Sequence, residues 1–109
     1  MRAIQQGDIL VKPVECIPEG AVQVPRRNGV LVLAEGERTG HSHTIMAEGA
    51  DLYSLTRNGV TSLFLEVTAL TVPLIHQEHG TVTLEKGFAK IDRVQELDFF
   101  EGYKREVID

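Results

Sequence analysis

The sequence predicts an all-β domain, either a small antiparallel barrel or a sandwich. Short stretches rich in Val, Ile, Leu and Thr recur along the chain, and ten glycines separate them at nearly regular intervals. Helical periodicity is nearly absent before the C-terminal tail. Short strands divided by turn residues at such spacing are typical of antiparallel barrels and sandwiches.

Six stretches are predicted to be strands because β-branched and other apolar residues dominate them. In chain order they are DILVKPV (8–14), AVQV (21–24), VLVLA (30–34), VTSLFLEVTALTV (60–72), TVTL (81–84) and FAKI (88–91). The pairs Asn28-Gly29 and Asn58-Gly59 predict two-residue hairpin turns, since both central residues of a type I′ turn need positive φ.

A length of 109 residues fits one domain with a single modest core. We assign this domain to residues 1–96 and treat residues 97–109 as a short C-terminal tail. Gly102 weakens helical character in the tail. A short helix is nevertheless indicated there by apolar residues at helical spacing, namely Phe99, Phe100, Tyr103 and Val107.

The composition of the chain indicates which partners and which cellular compartment are expected. The formal net charge of −5 disfavours nucleic acid and anionic membranes, which reward a basic surface. No apolar run approaches the roughly 20 residues of a membrane-spanning helix, and Met1 to Asp8 carry no apolar export signal. We therefore expect a cytoplasmic location.

Cys16 is the only cysteine in the chain, so an intrachain disulfide or thiolate cluster is excluded.

The four histidines of the chain occur as two close pairs. The first pair, His41 and His43, lies in TGHSHT, and the second, His76 and His79, lies in HQEH. Side chains two apart on a strand point to the same face, and Gly40 with its polar neighbours favours the extended form here. The first pair is therefore suited to two-point metal coordination by neutral imidazoles.

The second pair has two possible geometries. On a turn, which Gly80 would end, His76 and His79 lie near one face, and one or both can join the first pair. If the segment is extended, His76 and Glu78 share a face instead. The sequence leaves open whether His76, His79 or Glu78 completes the site.

The stretch GERTGHSHTIMAE (36–48) resembles the first metal motif of the cupin superfamily. In that motif a glycine, H-x-H and a glutamate follow one another, and Gly36, His41, His43 and Glu48 occupy these places with a spacer one residue short. The resemblance implies a small β-barrel in which three imidazoles and a carboxylate surround a divalent metal. The second cupin motif matches poorly, because no glycine lies between Pro73 and the second histidine pair.

Two functional hypotheses follow from these residues. The first is a divalent transition metal (zinc, iron, manganese, nickel or copper) that binds a small oxygenated molecule or activates water. Its candidate ligands are His41, His43, Glu48, His76 and His79. No complete catalytic constellation is present in the sequence, so an enzymatic role and its catalytic residues stay open. The second hypothesis is a non-enzymatic assembly or protein-binding module whose histidines order loops or respond to pH.

The apolar side chains of the tail also predict self-association. A domain of this size buries little of its surface, and open β edges invite pairing. We expect a homo-oligomer that uses the segment Leu97 to Ile108.

Overall fold

The computed structural model describes residues 1–35, 40–94 and 106–108. It confirms the all-β prediction, and the sheets form an antiparallel sandwich rather than a closed barrel. The strands are β1 (Ile4–Gln6), β2 (Ile9–Val14), β3 (Val22–Val24), β4 (Leu31–Glu35), β5 (Ser42–Ile45), β6 (Ala50–Arg57), β7 (Val60–Leu74), β8 (Val82–Arg93) and β9 (Glu106–Ile108).

Two sheets make up the sandwich. The larger has the order β3-β6-β7-β8-β2-β1-β9, and the smaller pairs β4 with β5. Apolar side chains of both sheets form one buried core, with Leu31, Leu33 and Ile45 from the smaller sheet and Ile9, Val11, Leu52, Leu65, Leu74 and Leu84 among those from the larger. The smaller sheet is joined to the larger by a bridge between Thr44 of β5 and Ile75, directly after β7.

All six predicted strands are present, with shifted ends. The two predicted for residues 81–84 and 88–91 are one strand, β8, which continues through Gly87. Four strands were not predicted, namely β1, β5, β6 and β9. The residues of β1 are mostly polar, and in β6 buried Ala50 and Leu52 alternate with polar neighbours.

Both predicted Asn-Gly turns are confirmed. Asn28 and Gly29 have φ values of 51° and 80°, and Asn58 and Gly59 have values of 52° and 76°. Positive φ at both central residues is the signature of the type I′ turn. A third two-residue turn, not predicted, joins β1 to β2 through Gly7 and Asp8, with a Gly7 φ of 55°.

The predicted tail falls mostly outside the described residues. Its described part, Glu106–Ile108, is a strand that pairs parallel to β1, so these three residues do not form the expected helix. The parallel pairing gives β1 a partner on each side, which places β1 and its turn inside the larger sheet.

A stability prediction arises from the contrast between two neighbouring arginines. The partly buried Arg26 donates hydrogen bonds to the carbonyls of Gly29, Ala47 and Ala50, at 2.9, 2.9 and 3.1 Å. We expect Arg26→Leu to lower the free energy of unfolding by about 2–3 kcal/mol, because hydrogen bonds from a charged donor are lost.

The matched control is Arg27→Leu. Arg27 pairs with Glu35 on the surface, where the two side chains are 62 % and 58 % exposed, so its loss should cost under about 1 kcal/mol. Equilibrium denaturation of both variants measures the difference. Equal losses would show that Arg26 does not hold the loop that follows β5.

Candidate functional site

All four histidines meet at one end of the sandwich. The imidazole centroids of His43 and His76 are 4.4 Å apart, and those of His76 and His79 are 4.7 Å apart. The His41 and His76 rings are 5.8 Å apart, and the His43 and His79 rings are 6.4 Å apart and parallel within 5°. The two sequence pairs therefore form a single cluster.

Backbone pairing between β5 and the end of β7 brings the two pairs together. Thr44 and Ile75 exchange two backbone hydrogen bonds of 2.9 and 2.8 Å. Thr44 follows His43 directly and Ile75 precedes His76, so this bridge sets the histidines of one segment beside those of the other. Of the first pair, His43 lies in β5, and His41 directly precedes this strand, which begins at Ser42.

The second pair lies on a turn, which was one of the two geometries considered. The backbone N–H groups of Glu78 and His79 donate to His76 Nδ1, at 3.0 and 3.3 Å. An Nδ1 that accepts hydrogen bonds carries no proton, so the neutral His76 ring carries its proton on Nε2. Burial lowers the pKa of His76, and the neighbouring His79 and His41 rings lower it further.

His43 is the most enclosed histidine, with 2 % of its surface exposed. Its Nδ1 lies 2.9 Å from Gln6 Oε1, and its Nε2 lies 2.9 Å from Asp8 Oδ1. Burial lowers the pKa of His43, and the hydrogen bond with Asp8 offsets part of this effect. Both ring nitrogens are therefore engaged, each with an oxygen atom.

Gln6 determines which nitrogen of His43 carries the proton. The Gln6 side chain is fully buried, and its Nε2 donates to the carbonyls of Leu74 and Gly80, both at 2.9 Å. The amide oxygen of Gln6 must then face His43, and that oxygen can only accept. The neutral ring of His43 is thus protonated at Nδ1, and its Nε2 lone pair faces the carboxylate of Asp8.

The 2.9 Å contact between His43 Nε2 and Asp8 Oδ1 needs a proton or another cation, because both atoms are acceptors when the ring is neutral. A second proton on His43 makes this contact a hydrogen-bonded ion pair; burial opposes that charge, and the Asp8 carboxylate favours it. A metal ion beside the two atoms would satisfy them without protonating the ring.

Asp8 stays ionised in this setting. Its partial burial acts to raise the pKa of the carboxyl group, but the hydrogen bond with His43 and the charge of Arg93 outweigh burial, and the pKa lies below its usual value. Arg93 contacts Asp8 Oδ2 through Nη1 and donates through Nη2 to the Glu35 carbonyl at 2.7 Å. Arg93 therefore holds Asp8 between β8 and the end of β4.

The two glutamates considered from the sequence lie in different places. Glu78 Oε1 is 3.1 Å from His41 Nδ1, so Glu78 belongs to the cluster. Glu48 is exposed in the bend after β5, where the next residue, Gly49, packs against Ala69. At ~3.3 Å per residue of strand, Ala69 of β7 lies roughly 20 Å from His76 along the chain. The expected ligand Glu48 therefore lies away from the histidines, and Gly36 of the same motif lies outside the described residues.

A family model described as "Domain of unknown function (DUF8820)" matches residues 5–93. The chain belongs to this family. No curated protein and no solved structure shows significant similarity to the chain. The matched range of the DUF8820 domain contains all four histidines together with Gln6, Asp8 and Arg93, so the whole cluster and its supporting contacts belong to the domain.

Two further structural observations describe the DUF8820 chain. Across residues 1–35, 40–94 and 106–108, no group of three or more His, Cys, Asp or Glu side chains already surrounds a common point as metal ligands do. The same part of the chain has no helix long and apolar enough to cross a membrane. Metal coordination would therefore require rings in the cluster to turn.

The sequence reading missed three residues of the cluster, Gln6, Asp8 and Arg93. Gln6 and Asp8 lie in and beside β1, a three-residue strand with no strong local signal. One signal was present in the sequence: Gly7-Asp8, directly before the apolar stretch that forms β2, is a turn dipeptide, and turns lie at the ends of a sandwich.

Proposed function

We propose that this DUF8820 protein binds one divalent transition metal through its histidine cluster. The observation that supports this most is the convergence of every histidine of the chain, in which each ring has its centroid within 5.8 Å of the centroid of at least one other histidine ring. Imidazoles that share one tetrahedral ion at about 2.1 Å have centroids about 5 Å apart. Small rotations of the rings would therefore bring their nitrogen atoms to one ion.

The protonation state of the cluster also supports the proposal. Metal ligation requires neutral imidazole, and burial lowers the pKa of both His43 and His76. His41, His43, His76 and His79 are the nitrogen donors we propose. To bind the metal through Nδ1, His76 would have to lose the two hydrogen bonds within its turn. Otherwise the other three histidines would bind the ion without His76.

Cupin-like chemistry is the extension of this proposal. Two separated histidine motifs meet at one end of a small β domain, as the resemblance of residues 36–48 implies. Zinc, iron, manganese, nickel and copper all suit imidazole ligands. An ion with an open coordination position would bind a small oxygenated molecule or activate water. We propose the cytoplasm as its compartment, on the composition of the sequence.

The direct test is the metal content of purified protein, measured by elemental analysis after exposure to each of the five metals. We expect about one ion per chain in the wild type and little in a His41→Ala/His43→Ala variant. Glu48→Gln is the control, because Glu48 is exposed and away from the cluster. Circular dichroism must show that each variant is folded. Equal metal content in the wild type and the double variant would contradict the proposal.

A second candidate function is a non-enzymatic binding or assembly module in which the histidines order loops. The supporting observation is that His76 Nδ1 accepts two backbone N–H groups of its own turn. The variant His76→Asn separates the two functions, since an Asn side-chain oxygen can accept the same kind of turn hydrogen bonds. Unchanged stability in this variant, together with no metal binding by the wild type, would favour the loop-ordering function.

Self-association through the tail stays a prediction. Val22 on the edge strand β3 is 66 % exposed, which leaves apolar surface at an open sheet edge. We expect light scattering to show a dimer or larger assembly for the full chain, and a monomer for a chain that ends at Glu96. A full-length monomer at micromolar concentration would contradict this prediction.

A further inference from the structure

We infer that Asp8 is the carboxylate ligand of the metal site and that Gln6 positions His43 to share the ion with it. The inference rests on the proposed function. The sequence motif assigned the carboxylate to Glu48, whereas the geometry points to the turn between β1 and β2.

The first argument is distance. His43 Nε2 and Asp8 Oδ1 are 2.9 Å apart. Two ligand atoms that bind one tetrahedral ion at about 2.0 to 2.2 Å lie roughly 3.3 to 3.6 Å from each other. The two atoms are therefore about half an ångström closer than a shared tetrahedral ion needs, and a small outward movement of Asp8 would reach that separation.

The second argument is the direction of the His43 lone pair. Histidine ligands usually donate their other ring N–H to an acceptor, which fixes the tautomer and the ring orientation. Gln6 Oε1 is that acceptor for Nδ1. Gln6 cannot turn over without losing its bonds to Leu74 and Gly80. The lone pair of Nε2 is thus directed at the side of the ring where Asp8 lies.

The third argument is the orientation of the Asp8 carboxylate. Arg93 contacts Oδ2, so Oδ1 is the oxygen that faces His43 and the cluster. Asp8 can therefore bind an ion through one oxygen while Arg93 holds the other.

Glu78 is the competing carboxylate in the cluster. It lies 3.1 Å from His41 Nδ1, and its side chain is 59 % exposed, close to the 52 % of Asp8. The histidine partners differ, because the His43 side chain is 3 % exposed and the His41 side chain is 29 % exposed. An ion bound between His43 and Asp8 would therefore be more enclosed on its histidine side than one bound between His41 and Glu78, so the geometry favours Asp8.

The test uses Co²⁺, which reports its ligands by visible absorption, with affinity measured by calorimetry on the full chain. Four proteins are compared, namely the wild type, Asp8→Asn, Glu78→Gln and Glu48→Gln. We expect Asp8→Asn to weaken Co²⁺ binding at least about tenfold and to change the absorption bands. Glu48→Gln should match the wild type, and Glu78→Gln should lose less affinity than Asp8→Asn.

A second measurement avoids any effect of the Asp8 substitution on folding. In the ¹³C- and ¹⁵N-labelled wild type, added Zn²⁺ should shift the Asp8 side-chain carboxyl resonance and His43 Nε2, and leave the Glu48 carboxyl resonance unchanged. Wild-type protein that binds neither Co²⁺ nor Zn²⁺ overturns the proposed function together with this inference. Wild-type binding with an unshifted Asp8 resonance and an unaffected Asp8→Asn variant overturns the assignment of Asp8 alone.

Discussion

Gln6→Leu is expected to lower the free energy of unfolding by about 3–5 kcal/mol, because each buried polar group left without a partner costs about 1–3 kcal/mol. Gln6 is fully buried and supplies the hydrogen-bond partner of His43 Nδ1 and of two backbone carbonyls. Leucine fills a similar volume but removes one hydrogen-bond partner from each of the three groups. The affected carbonyls flank the turn that carries His76 and His79, so the turn should loosen as well.

Equilibrium denaturation with Gln23→Leu as control measures this effect. Gln23 lies exposed on the edge strand β3 and bonds Asp51 at 3.1 Å. Its replacement should change stability by no more than about 0.5 kcal/mol. A Gln6→Leu loss as small as that of the control would show that the buried amide does not hold the two histidine segments together.

Gly7→Ala is expected to cost about 3 kcal/mol or more, as the sum of a left-handed backbone penalty of about 1–2 kcal/mol and a steric clash. Gly7 has a φ of 55°, and a Cβ atom there would lie 2.5 Å from Cδ2 and from Nε2 of His79. The ring of His79 therefore has to move away from the turn. We expect its NMR resonances to shift and, if the metal proposal holds, metal affinity to fall.

Gly59→Ala isolates the backbone part of this effect. Gly59 has a φ of 76° in a two-residue turn, and a Cβ atom there would meet nothing within 4 Å. Its substitution should cost only the backbone penalty of about 1–2 kcal/mol. Equal losses at the two glycines in chemical denaturation would contradict a close contact between Gly7 and His79.

Local chemistry explains which parts of the fold were predictable. The Asn-Gly turns at Asn28 and Asn58 were found because positive φ at two successive residues restricts the choice of side chain. The strands β2, β4 and β7 were predicted because apolar and β-branched residues dominate them. By contrast, β1 and β6 carry polar residues, and pairing with neighbouring strands stabilises them more than their own propensity does. β8 was predicted as two strands because Gly87, a residue that disfavours strands, lies in its middle.

The sequence by itself determined the nitrogen part of the candidate site. Four histidines in two pairs are a signal because H-x-H in an extended chain directs two side chains to one face, and H-x-x-H on a turn brings two rings close together. The cluster of His41, His43, His76 and His79 is the outcome of joining two such local arrangements.

Only the tertiary structure decided which other groups support the histidines. His43 meets Gln6 across 37 positions and Asp8 across 35, and Arg93 meets Asp8 across 85. Glu48 is five positions from His43, yet it lies in the bend after β5, away from the histidines. An extended chain separates side chains that are close in sequence, whereas pairing of β1, β2 and β8 in the larger sheet and packing of β5 against that sheet bring distant ones together. Strand pairing and sheet packing, which no short motif encodes, are therefore the reason that Asp8 lies beside the histidines and Glu48 does not.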